Sequence, residues 1–240
     1  MVVPLKDEEQ NILPLYEELV AVLDRGEFRY EIVLVDDGSV DATFTRAAAL
    51  HQRDRRVRVI RFSRNFGQTA AFAAGFSAAR GRFIVTLDGD LQNDPGDIPR
   101  LLQLAPEYEV VCGWRRNRRD ALLTRKLPSV VANYLLGVVS GVRLHDNGCS
   151  LKVFRADVVK ALRLRPGMHR YLPALASQLG ARVTEVVVNH RPRRFGRSKY
   201  GLSRTFRVLA DVVRLRTLMK EATEVGDPPT PIYSITTRLD

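Results

Sequence analysis

The amino-acid sequence predicts an α/β protein with a mostly parallel sheet flanked by helices, on three grounds. Short apolar runs recur along its first half, helix-like segments separate them, and two of the runs stop in paired carboxylates. Such alternation is the pattern of βαβ units, in which strands are buried on both faces and each crossover helix buries one stripe.

Met1 to Pro4 opens the first strand, and a helix follows with Ile12, Leu15, Leu19 and Val22 or Leu23 forming its stripe. Ile32 to Val35 is the second strand, ending in Asp36 and Asp37; Ser39 stands where an N-cap belongs, before a helix over Ala42 to Leu50. Val57 to Phe62 is the third, after which Gly67 serves a tight turn into a helix from Gln68. Phe83 to Leu87, closed by Asp88-Gly89-Asp90, is the fourth, and Val110 to Cys112 the fifth. Beyond Gly113 the chain turns basic through Arg119, then helical from about Arg125, with a turn and strand around Asp146 to Phe154 and a further strand at Val183 to Val188. From Leu202 to Met219, Leu202, Phe206, Leu209 and Val213 share a stripe opposite Arg204, Arg207, Asp211 and Arg214, which predicts an amphipathic helix. Residues 1–220 therefore read as one domain, with 202–220 as its C-terminal amphipathic helix, and the proline-bearing stretch 221–240 reads as a flexible tail.

A hydrophobic content of 45% and a charged content of 27% exclude disorder along most of the 240 residues. The net charge of +11 predicts attraction to a polyanion. No helix-turn-helix, zinc-finger or RNP signature is present and the basic residues lack aromatic interleaving, so a nucleic-acid partner is not expected. Between Arg191 and Lys220 the basic residues face one acidic residue, Asp211, beside the amphipathic stretch; this reads as contact with an anionic membrane surface. The longest uncharged stretch, Pro128 to Val142, falls short of the roughly 20 residues that cross a bilayer. Without a basic n-region and apolar h-region at the start, a cytoplasmic location is expected. Cys112 and Cys149 lack zinc or C-x-x-C spacing and read as buried thiols.

Parallel sheets gather ligands at the carboxyl ends of their strands. Carboxylates repel phosphates, so an acidic pair there makes sense in a nucleotide site when it holds a divalent cation that the phosphates share. Asp88 and Asp90 are thus candidate ligands for Mg2+ or Mn2+, although D-G-D by itself fits a polar turn equally well.

Four motifs in order extend the reading: Val3-Pro4 with Glu8 and Asn11, Val35-Asp36-Asp37-Gly38-Ser39 with Asp41, Arg64-Asn65-Phe66-Gly67, and Asp88-Gly89-Asp90-Leu91-Gln92. Together they resemble glycosyltransferase family 2, over roughly Val2 to Leu218. Asp146 to Arg155, and His190-Arg191-Pro192-Arg193 with Gly196 to Tyr200, are similar to the branch that moves a hexose, mannose or glucose, onto a polyprenyl phosphate, as in dolichyl-phosphate mannose synthases. The resemblance implies a GT-A fold, a Rossmann-like sheet whose D-x-D carries Mg2+ or Mn2+ against the diphosphate of a nucleotide sugar. Pro4, Lys6 and Glu8 would line the nucleotide pocket, with Val35, Asp36 and Asp37 approaching base and ribose. Asp88, Gly89, Asp90 and Gln92 would form the metal and diphosphate site, and Arg115, Arg193 and Lys199 would face the donor phosphates. Lys6-Asp7 and Leu151-Lys152 depart from the family's usual residues. Many relatives continue into transmembrane helices after the Met219 position, so the expectation is either a peripheral enzyme at the inner face of the membrane, alone, as a homo-oligomer or with a separate membrane subunit, or a chain from which the membrane part is missing.

An inverting transfer needs the leaving diphosphate stabilised and the nucleophile aligned. A phosphate monoester, with a second pKa of about 6, is largely dianionic at neutral pH and needs cations rather than a general base. Arg115, Arg118 and Arg125 with Ser198 would form that cradle, since guanidinium pairs phosphate oxygens bidentately. Asp146 is either a general base, which a sugar-hydroxyl acceptor would demand, or a turn residue.

Overall fold

The computed structural model describes residues 1–116, 140–195 and 232–240, together with Gly137 and Thr217. Eight strands form one sheet: β1 (Val2–Leu5), β2 (Ile32–Asp36), β3 (Val57–Phe62), β4 (Phe83–Thr86), β5 (Val110–Trp114), β6 (Lys152–Arg155), β7 (Val183–Val187) and β8 (Ile235–Leu239), in the order β7-β5-β6-β4-β1-β2-β3-β8. β6 runs antiparallel to β4 and β5, and β8 antiparallel to β3; β4, β1, β2 and β3 pair in parallel, as do β5 and β7.

The runs are continuously apolar because both faces of the sheet are covered, yet alternate residues serve different layers. Val33 and Val35 point to one core with Ile60 and Phe62, under α3 (Gln68–Ala78), α5 (Ala156–Ala161) and α6 (Leu172–Gln178). Ile32 and Leu34 point to the other, under α1 (Ile12–Arg25), α2 (Thr43–Arg53) and α4 (Ile98–Leu104). On α1 the buried stripe is Ile12, Leu15, Leu19 and Leu23, which resolves the choice at its end in favour of Leu23. α3 is buried nearly all round because it lies against β1: a Cβ on Gly75 would come within 2.3 Å of Val2 Cγ1.

Two sequence expectations are corrected. Ser39 is not an N-cap; α2 starts at Thr43, whose N–H is met by Asp41 Oδ1 at 2.9 Å, while Ser39 Oγ accepts from Asp7 N at 2.9 Å. The end of the chain, expected as a flexible tail within 221–240, is the edge strand β8. Its Ile-Thr-Thr-Arg-Leu run is β-favouring, Tyr233 stacks on Phe62 at 5.0 Å, and Arg58, 4% exposed, is flanked by Glu31 and Asp240. The amphipathic stretch 202–220 lies outside the described residues except for Thr217. Both cysteines are buried thiols, and burial pushes Cys112 up to about 12.

Candidate active site

The carboxyl ends of β1, β2 and β4 converge on one acidic centre. Asp88 and Asp90 follow β4, and Gly89 between them lies against β1, where a Cβ would meet Leu5 Cδ2 at 2.5 Å. Leu91 is held at φ 61°, a left-handed strain of order 1 kcal/mol that turns the chain sharply after the carboxylates. The two acids face different neighbours. Asp90, buried, accepts from Arg193 Nη2 at 2.6 Å and Gln92 N at 3.1 Å, and Glu8 reaches the same guanidinium at 3.6 Å. Asp88 accepts from Gln68 Nε2 at 2.7 Å, and its own N–H donates to Ser150 Oγ at 3.2 Å. Burial first, then the Asp88 charge, with a smaller contribution from Glu8, pushes Asp90 up to about 6 against the pull of Arg193. One arginine does not neutralise this crowd. Hard oxygen donors carrying excess negative charge suit Mg2+ or Mn2+. Among the described residues no group of three His, Cys, Asp or Glu side chains forms a complete protein cage, so an ion here would take its remaining ligands from water and substrate phosphates, as Mg2+ commonly does.

The β1–α1 and β2–α2 loops are laced together beside this centre. Lys6 Nζ donates to Gly38 O at 2.9 Å, Val40 N to Asp7 Oδ1 at 2.9 Å, and Glu8 N to Thr43 Oγ1 at 2.9 Å; Asp7 itself has φ 48°. Asp36, fully buried at the end of β2, accepts from Ser39 N at 2.9 Å and lies 3.5 Å from Arg61. Asp37 spends both oxygens on backbone: Phe66 N at 2.6 Å and Gly67 N at 2.9 Å. It therefore organises the Arg64–Gly67 turn, and burial outweighs those bonds to raise its pKa. Gly38, at φ 65°, has no room for a side chain, since a Cβ would sit 2.4 Å from the Arg64 carbonyl carbon.

Farther along the sheet, Arg115 and Asp146 form a bidentate pair, Nε to Oδ2 at 2.7 Å and Nη2 to Oδ1 at 3.0 Å, with Arg115 N also 3.3 Å from Oδ2. Burial acts to raise Asp146, but Arg115, aided by Lys152, holds it below the ordinary carboxylate value. Lys152, 4% exposed, donates to the carbonyls of Asn147 (3.2 Å) and Cys149, bracing the Asp146–Cys149 turn from beneath.

The motifs thus meet at one end of the sheet, and the glycosyl transferase family 2 profile matches residues 1–163. The chain belongs to that family. Among curated relatives it is similar to the dodecaprenyl-phosphate galacturonate synthase of Rhizobium johnstonii, 46% identical over 231 residues that cover 94% of this chain and 68% of the relative. It is also similar to the undecaprenyl-phosphate 4-deoxy-4-formamido-L-arabinose transferase of Yersinia pestis, 38% identical over 215 residues covering 89% of this chain and 65% of the relative. The chain spans about two thirds of the length of these relatives. Among solved structures, glucosyl-3-phosphoglycerate synthase from Mycobacterium tuberculosis, in complex with Mn2+, UDP-glucose and phosphoglyceric acid, superposes with a TM-score of 0.66 at 19% identity over 94% of this chain and 79% of that one. Mannosyl-3-phosphoglycerate synthase from Rubrobacter xylanophilus gives 0.66 at 16% identity, over 95% and 77%. These likenesses show a shared GT-A fold.

Within this family 2 domain, Pro4, Lys6, Glu8, Val35, Asp36, Gly89 and Arg193 surround the same end of the sheet as Asp88 and Asp90. Gln92 is turned elsewhere: its Nε2 donates to Arg191 O at 3.4 Å and its O accepts from Arg191 N at 2.9 Å, so it ties down the segment that carries Arg193. Arg118, Arg125, Ser198 and Lys199 lie outside the described residues. Sequence reasoning missed Gln68, Ser150 and Asn93, which hold the D-x-D in place, Asn93 Nδ2 donating to Ser150 Oγ at 2.7 Å. The available signal for Gln68 was its position as the first helical residue after the glycine turn, at the ligand-gathering end of the sheet.

Proposed function

We propose that this domain transfers a sugar, with inversion, from a nucleotide-diphosphate sugar to a polyprenyl phosphate, using Mg2+ or Mn2+ held by Asp88 and Asp90. The observation that carries the acceptor assignment is the Arg115–Asp146 pair. Asp146, the sequence's candidate base, has both oxygens engaged by one guanidinium and a lowered pKa. A sugar hydroxyl would need a base at that point, whereas a phosphate dianion needs none. Both curated relatives are named for a polyprenyl phosphate acceptor, which supports the same reading.

Lewis-acid stabilisation of the departing diphosphate is the chemistry a bound ion supplies there. Asp88 is oriented for this by Gln68 and Ser150, and Asp90 by Gln92 N. Arg193, placed beside Asp90, adds fixed positive charge where negative charge grows in the transition state. In this reading Arg115, held by Asp146, serves the acceptor phosphate. The two relatives are named for galacturonate and a formamido-arabinose, which favours a modified sugar over mannose or glucose as the donor. Among the described residues no helix is long and apolar enough to cross a membrane. The proposed partner surface is the anionic bilayer in which a polyprenyl phosphate resides, met by the basic stretch after Arg191.

The test is incubation with a panel of nucleotide sugars, Mg2+ or Mn2+ and a short polyprenyl phosphate, reading lipid-linked sugar by mass. A metal-stimulated product is expected from at least one donor. Absence of product with every donor, or full activity in excess EDTA, sinks the reading.

A further inference from the structure

Arg193 stands on a pinned stretch of main chain. Asn189 N donates to Asp97 Oδ2 at 2.7 Å, His190 forms a bridge with Asn93, and Arg191 N donates to Gln92 O at 2.9 Å. The Arg191 guanidinium grips Glu18 at 2.6 Å and Asp94 at 2.7 Å. Two residues beyond Arg193, Phe195 packs against the core under α1, α2 and α4. With the backbone held on both sides, the Arg193 side chain is the part that can change partners.

That side chain, 19% exposed, is unevenly satisfied. Nη2 donates to Asp90 Oδ2 at 2.6 Å, whereas Nη1 is inaccessible to solvent, forms no hydrogen bond among the described residues and lies 3.6 Å from Glu8 Oε1. Glu8 Oε2 already accepts from Asn11 Nδ2 at 2.6 Å. On Asp90, Oδ1 accepts from Gln92 N at 3.1 Å, so Oδ2 is the oxygen not tied to backbone, and Arg193 sits on it. A divalent ion bonded to Oδ2 at about 2.1 Å would stand within roughly 4 Å of Nη2, where the two positive charges repel. Guanidinium and ion therefore exclude one another at that oxygen. An arginine displaced from its carboxylate in a buried place needs a second anion, and a diphosphate offers its fork two oxygens.

We propose that Arg193 competes with the divalent ion for Asp90 and releases it when a nucleotide diphosphate arrives with the ion, so that metal and nucleotide bind as a pair; this rests on the metal-dependent transferase reading above. The full chain is titrated with Mn2+ alone, read by the electron paramagnetic resonance of free Mn2+, and with UDP and GDP by calorimetry, in EDTA and in saturating Mn2+. The wild type is expected to bind Mn2+ weakly by itself and about ten-fold or more tighter with one of the nucleotides. Arg193→Gln should bind Mn2+ alone about ten-fold tighter, leave nucleotide affinity in EDTA unchanged and weaken it about ten-fold in saturating Mn2+, so that the coupling between the two ligands falls about ten-fold around a closed cycle. The tighter Mn2+ binding is a gain that a damaged fold does not produce. Arg193→Lys, which keeps a charge beside Asp90 and loses the fork, should take up Mn2+ alone as weakly as wild type while still losing nucleotide affinity in Mn2+. Unchanged Mn2+ affinity in Arg193→Gln overturns the exchange. Nucleotide affinity lost equally in EDTA and in Mn2+ overturns it too, placing the arginine on the phosphates with or without an ion. Coupled binding in the wild type that Arg193→Gln does not alter sinks the exchange and leaves the transferase reading standing, whereas a wild type that binds neither Mn2+ nor either nucleotide sinks both.

Discussion

Two arginine–aspartate pairs, Arg193–Asp90 and Arg115–Asp146, lie at the same end of one sheet and behave oppositely. The first is made through Nη2 at 2.6 Å, with Glu8 and Asp88 adding negative charge around it, and Asp90 is pushed up to about 6. The second is bidentate, supported by Lys152, and Asp146 is held below its ordinary value. Burial works against ionisation in both, so burial does not decide the outcome. The balance of charge does. Asp90 is over-supplied with anions and is suited to share a cation, whereas Asp146 is saturated and serves to aim its arginine.

That contrast can be broken in order of expected effect. Asp90→Asn should lower kcat by about 1000-fold, through loss of charge stabilisation in the transition state, while barely lowering Tm, because it relieves like-charge crowding. Turnover with saturating Mn2+ and a melting curve measure both; a Tm loss larger than the activity loss would contradict the assignment. Asp146→Asn should do the reverse, costing about 3 kcal/mol of stability by leaving Arg115 buried and unmatched, with a smaller loss of kcat. If it abolishes turnover without destabilising the fold, Asp146 is a base after all and the acceptor is a hydroxyl.

A pH series sharpens the comparison by a smaller margin. Asp146 has a folded pKa below its unfolded value, so its contribution is complete above the unfolded carboxylate pKa, about 4, and fades as the pH falls through the lowered folded value. The stability gap between wild type and Asp146→Asn should therefore be constant near neutrality and narrow on acidification below about pH 4. Chemical denaturation at stepped pH checks this, and a gap that widens in acid would be inconsistent with the pair. The smallest effect belongs to Gln68→Ala, which should raise the Mn2+ concentration for half-maximal activity several-fold, about 1 kcal/mol, by releasing Asp88. An unchanged metal requirement would show that Gln68 does not position Asp88.

The strands of the central sheet were legible because they are short apolar runs buried on both faces, and the acidic centre because its carboxylates end two of those runs. What escaped were partnerships across long sequence distances. Nothing local in Asp37 announces that it binds the backbone of Phe66 and Gly67, or in Ser39 that its hydroxyl serves Asp7. β8 was hidden by the prolines just ahead of it, which made a β-favouring run look like the end of a tail. The direction of β6 was not readable, since an apolar run carries no sign of which neighbours it will oppose.

β8 also closes the sheet beyond β3. Phe195 packs into the core beneath α1, α2 and α4, and Ile232 and Tyr233 pack into the opposite core. The described chain is thus fastened to one core at Phe195 and to the other at Ile232 and Tyr233. Peeling β8 from β3 would strip Phe62 of its stacked ring and Arg58 of one of its two carboxylates, so the last nine residues are ballast for the core rather than trim.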